Sequence, residues 1–170
     1  MKISMHAMSV DVFTRALGSL SAFLEKGQAH AVQRKFEPAV LLGSRLAPDM
    51  HPLTRQVQLA SDISKNSVAR LAAQDPPRFP DTEASFEELH ARIARTLDYL
   101  KGVPASALEG AETRDIKLPA RGDRTLEFKG LEFLQHWAIP NVFFHVTTAY
   151  AILRHNGVEL GKSDFLGGAR

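Results

Sequence analysis

With 170 residues, 44% of them hydrophobic, the chain can bury one substantial core, and residues 1–170 are expected to form a single domain. Lys and Arg total 21 against 19 Asp and Glu, a net charge of +2 with both signs mixed along the chain, which is too little for a nucleic-acid footprint. The absence of cysteine removes disulfides, thiolate metal ligands and a cysteine nucleophile together, leaving histidine, carboxylate, amide and hydroxyl chemistry.

A cysteine-free chain fits a reducing cytosol. The opening MKISMHAMSVDVF has neither a long apolar stretch nor a small-residue cleavage site, so no signal peptide and a cytoplasmic location are expected. Val10, Phe13, Leu17, Leu20 and Leu24 then recur at helical steps and make one apolar stripe, on a helix expected to stop at Gly27. After a polar stretch, Pro38 opens a short helix reading AVLLGSRL, which Pro48 interrupts.

In the second long helix Leu53, Val57, Ala60, Ser64, Val68 and Leu71 share a face, with Asp49 or His51 as its cap and Pro52 in the first turn. Its small residues suit close packing against another helix. DPPRFPD follows as an extended connector, about nine residues able to span roughly 30 Å. Ser85 and Glu88 have capping-box spacing ahead of a third stripe, Phe86, Leu89, Ile93, Leu97 and Leu100. Glu88, Arg92 and Arg95 read as its solvated face, and Asp62 lies opposite the second helix's stripe, as a surface or dimer contact would.

Between 103 and 130 the helical pattern lapses, and Ile116/Leu118 and Leu126/Phe128 alternate around a Gly-Asp turn, the mark of a small exposed hairpin. Pro140 then kinks or restarts a helix running to Arg154 or His155, with Gly157 as its stop. The stretch 133–153 is long enough to tempt a membrane assignment. Gln135, His136, Pro140, Asn141 and His145 would all lie in hydrocarbon, so a buried helix is expected instead. Its aromatic girth, Phe143, Phe144 and Tyr150, calls for cover by neighbouring helices or by a second copy of the chain, and a homodimer is expected.

Asn141 and His145 place an amide and an imidazole one turn apart on this apolar helix, and burying them demands a hydrogen bond, a ligand or a metal. The structural account of His145 is a core imidazole bonded to Asn141, Gln56 or a hydroxyl of the second helix, fixing register. His136 and His155 flank this helix, where capping, a pocket mouth or solvent are their expected surroundings. Gly161-Lys162-Ser163 lacks the glycine spacing of a phosphate loop, and Ser44, Ser64 and Ser67 show no triad partners.

The phrases APDMHPLTRQVQLASD, PNVFFHVTTAYAILRHNG and LGKSDFL, with the His145-to-Leu-Arg-x-x-Gly157 spacing, resemble the DinB and YfiT-like bacterial helical bundles, in a branch known only as a domain of unknown function. That resemblance implies an all-α, up-down-down-up four-helix bundle, often dimeric, with a small hairpin or loop excursion between the third and fourth helices. It also implies a divalent metal held by one histidine of the second helix and an HxxxH pair on the fourth, as in thiol-dependent transferases and isomerases of the wider family. Here His145 fills the second place of the pair, Asn141 the first, and Gln56 the second-helix place, with His51 a turn before it. Two of three ligands are thus replaced by amides, which hold transition metals poorly, and no cofactor is expected beyond a weak metal site of His51, Asn141 and His145. Two functions remain open: a small-molecule pocket at Gln56, Asn141 and His145, as in a metal-dependent enzyme with a degenerate site, or a non-catalytic dimeric structural or interaction module that has lost the family metal site.

Overall fold

The computed structural model describes residues 3–120, 122 and 124–168. Its elements are α1 (Val12–Arg34), α2 (Ala39–Gly43), α3 (Leu53–Leu71), α4 (Phe86–Gly102), β1 (Asp115–Pro119), β2 (Thr125–Lys129), α5 (Gly130–Phe133), α6 (Ile139–His155) and α7 (Lys162–Phe165). The protein is all-α apart from the hairpin. Each end of the stripe-bearing helices joins one core: α3 packs on α6 and α4, and α1 packs on the same two. Phe13, Leu17, Leu20, Phe23 and Leu24 of α1 meet Leu53, Val57 and Val68 of α3, Leu89 and Ile93 of α4, and Val142, Ala149 and Ile152 of α6 in that core. No described helix is long and apolar enough to cross a membrane.

The helix ends differ from the sequence expectation where tertiary contacts intervene. Gly27 does not stop α1, which runs on to Arg34 and closes on Lys35 in the left-handed region at φ 59°. The glycine is there for close packing: a Cβ on it would stand 2.9 Å from Leu153 Cδ2 and 3.5 Å from Phe86 Cε1. In Gly27→Ala the gain in helix propensity, ~1 kcal/mol, is outweighed by overpacking of ~1–3 kcal/mol. A net loss of about 1 kcal/mol is expected in a denaturant titration.

Neither Asp49 nor His51 caps α3, because the cap position is Pro52 itself, in extended geometry with no side-chain hydrogen bond. Ser85 does cap α4, its Oγ accepting from the Glu88 N–H at 3.1 Å, while Glu88 Oε2 accepts from Ala84 N–H one residue earlier than a reciprocal box would have it. The short helix α2 ends at Gly43, before the Ser-Arg-Leu expected to continue it.

The hairpin forms in the register its alternation implies, Ile116 opposite Phe128 and Leu118 opposite Leu126. Ile116 and Leu118 are buried, so one strand packs on the core and only the other is largely exposed. Of the Gly-Asp turn, Asp123 lies outside the described residues. Pro140 sits at the start of α6, and the π-helical turn (Leu134–Ala138) that leads into it without a break is where its missing N–H is accommodated. A second π-helical turn (Ala7–Asp11) leads into α1.

Two residues assigned to the solvated surface are drawn inward. Arg92 is fully buried, its guanidinium bonded to Asp62 at 2.8 Å, Asp81 at 2.9 Å, Glu83 at 2.9 Å and the Pro80 carbonyl at 3.0 Å. Asp62 also takes Lys65 at 2.8 Å, so it turns toward the α3–α4 seam and is only partly exposed. Phe79 of the connector lies against three cations, 4.7 Å from Arg95, 5.1 Å from Lys65 and 6.0 Å from Arg92. The proline-rich connector is thereby tied down along α3 and α4, as its reach allowed.

Candidate functional site

Gln56 and His145 meet across the α3–α6 seam because both sit on the buried stripes of their helices. His145 Nδ1 lies 2.7 Å from Gln56 Oε1, in a buried contact. The other end of the Gln56 amide is also engaged, Nε2 donating to the His51 carbonyl at 3.0 Å. That second bond fixes the amide's orientation, so its oxygen must accept and the imidazole Nδ1 must carry the hydrogen. The ring is then the Nδ1–H tautomer, with its lone pair on Nε2, and no described residue bonds that nitrogen.

Burial is the main reason His145 resists protonation, and the neighbouring His51 and Arg55 add to it, bringing the pKa down to about 4. At neutral pH the ring is uncharged. Its Nε2 is thus a hydrogen-bond acceptor or a metal donor of low basicity, held by a carbonyl on the opposite nitrogen in the way ligating histidines commonly are. Arg55, which the sequence reading passed over, brings positive charge to this end of α3, and its guanidinium bonds Asp81 and Gln58.

The other candidates are less closely gathered. Asn141 is half-buried one turn before His145, and its side chain has no hydrogen-bond partner among the described residues. His51 contributes its backbone carbonyl while its ring stands at an exposed position. His136, His155 and Asp49 are exposed. Among the described residues, no three His, Asp or Glu side chains gather in a way that would hold a metal ion.

Residues 5–166 match the family described as a domain of unknown function, DUF1993. The chain belongs to this family. A solved relative places DUF1993 here among DinB-like proteins: the crystal structure at 1.83 Å resolution of a DinB family member protein from Shewanella denitrificans is 44% identical to this chain. It covers 97% of this chain and 93% of its own, with a TM-score of 0.90. No curated protein matches the sequence. The DinB-like membership inferred from the three sequence phrases is therefore correct, and DUF1993 is its branch.

Proposed function

We propose that this DUF1993 protein is an up-down-down-up four-helix bundle that binds a small molecule at the α3–α6 seam through His145, without a tightly held transition metal. Pairwise contacts support the topology. Gly27 late in α1 lies by Leu153 late in α6 and Phe86 opening α4, while Gln56 early in α3 bonds His145 of α6 and Leu71 at its end approaches Gly130 ahead of α6. Helices α1 and α6 then run one way and α3 and α4 the other.

The observation that carries the functional reading is the direction of the Gln56–His145 hydrogen bond, which leaves Nε2 as the acceptor. A base this weak suits holding a ligand hydroxyl or amide better than removing a proton at neutral pH. The family metal fits the residues poorly. Both ends of the Gln56 amide are engaged within the protein, Asn141 offers only a neutral amide, the ring of His51 is exposed, and Arg55 adds positive charge.

Tag-free protein is expected to carry no stoichiometric zinc, nickel or iron by elemental analysis. Hydroxyl- and amide-bearing fragments should shift the imidazole signals of His145, and the binding of the same fragments, read by calorimetry, should be lost in His145→Ala. Stoichiometric metal that His145→Ala removes would replace this reading with a metalloenzyme.

A second reading, the dimeric interaction module, is favoured by one feature. Phe144 is 56% exposed, and with Leu46, Pro140 and Phe143 it borders an apolar cavity of about 450 Å³ on the outer side of α6. Under this reading a second copy of the chain covers that face, and sedimentation at micromolar concentration should give a dimer. A monomer would remove it.

A further inference from the structure

Both π-helical turns of the described chain border one cavity. Met8 lies in the turn Ala7–Asp11 with Met5 just before it, and Gln135 lies in Leu134–Ala138 with Leu131 in α5 just ahead. The 3-10 turns after α4 supply the third side, with Leu108, Glu109 and Glu112. The space measures about 730 Å³, within the range of small-molecule sites. Gln135 precedes His145 by ten residues along a continuous helical rod, about 15 Å of rise, so this cavity is separate from the seam.

A π-turn has poorer backbone geometry than an α-turn and persists most often where function requires the widened helix. Pro140 accounts for the turn at Leu134–Ala138, since a proline in a continuous helix lacks the N–H for the preceding turn, but no proline follows Ala7–Asp11. The walls are mainly apolar: Met5 and Leu108 are buried, and Leu131 is 37% exposed at the edge. Methionines give such a wall the adaptability to take chains of varied shape. Among the described lining residues the carboxylates are Glu109 and Glu112. No lysine or arginine is among the described lining residues, and neither Glu109 nor Glu112 has a cationic partner among the described residues. His6, the remaining titratable lining group, has its Nδ1 3.7 Å from Asp11.

From this combination we infer that the cavity binds an amphiphilic organic cation, a primary amine on an apolar chain, with the ammonium between Glu109 and Glu112 and the chain along Met5, Met8 and Leu131. The lone tryptophan, Trp137, lies within the second π-turn and stacks on Phe133 at 5.5 Å, so it reports on occupancy.

Decylamine, decanol and decanoate, each kept below the concentration at which it aggregates, provide the test, by calorimetry and Trp137 fluorescence on the full chain. Decylamine should bind saturably, one molecule per chain, and decanoate about tenfold more weakly or not at all. The double variant Glu109→Gln/Glu112→Gln should bring decylamine to the level of decanol. Leu131→Arg, at an exposed position, should weaken all three probes while leaving the His145 ring signals unchanged. The inference is overturned if decylamine fails to saturate, if decanoate binds equally well, or if neither variant alters binding. The seam site can stand or fall independently of these outcomes, because its readout is the His145 ring.

Discussion

Arg92→Ala is expected to destabilise the protein by about 3–5 kcal/mol, the cost of removing one partner from a buried charge network. The guanidinium has no exposed surface, and three carboxylates, Asp62, Asp81 and Glu83, converge on it. Its removal leaves Glu83, itself nearly buried, with Gln58 and the more distant and exposed Arg95 in its place. Burial alone would raise the Glu83 carboxyl pKa, but hydrogen bonds from Arg92 and Gln58 hold it below its ordinary value. The network therefore contributes stability above the ordinary carboxylate range, and that contribution is lost as pH falls through the lowered value.

The same variant should free the connector. Phe79, Pro80, Asp81 and Glu83 contact Arg92, so residues 75–83 should become a protease-sensitive segment under conditions where α4 still holds. Arg92→Lys keeps one charge but cannot reach three acceptors in a planar fork, and should recover only part of the loss. Urea titration at neutral pH reads the stability, and limited proteolysis reads the connector. Full stability in Arg92→Ala would show that the network contributes nothing net.

The second large effect concerns pH. A histidine free in the unfolded chain titrates near 6.5, whereas His145 in the fold titrates at about 4. In that interval the unfolded state binds a proton that the folded state refuses, so stability is fully present above 6.5 and declines as pH falls toward 4. For a ring that is 9% exposed the loss amounts to about 3 kcal/mol. Carboxylates also titrate near the lower end, so the difference between wild type and His145→Gln isolates the histidine. The two stability curves should converge as pH drops across this window. Curves that stay parallel would mean that His145 is not a buried neutral ring.

Helix positions were legible in the sequence because apolar periodicity is local: Leu53, Val57, Ala60, Ser64, Val68 and Leu71 are all buried as their spacing implies. The hairpin was legible for the same reason. Gly27 misled because a glycine near a helix end usually marks a C-cap, whereas its reason for being there lies on α6, over a hundred residues away. Arg92 was illegible on similar grounds. A helix wheel sets it beside the stripe, but only the connector's Asp81 and Glu83 with Asp62 of α3 make its burial affordable. At the seam, sequence brought Gln56 and His145 together through family spacing. Without coordinates, neither the His51 carbonyl that orients the amide nor the charge of Arg55 was visible.

The most direct measurement is a long-range proton–nitrogen correlation spectrum of the imidazole rings, followed from pH 7 downward. The account gives His145 a hydrogen on Nδ1, an unprotonated Nε2, and a titration at about 4. A hydrogen on Nε2 at neutral pH, or a midpoint near 6.5, would contradict it.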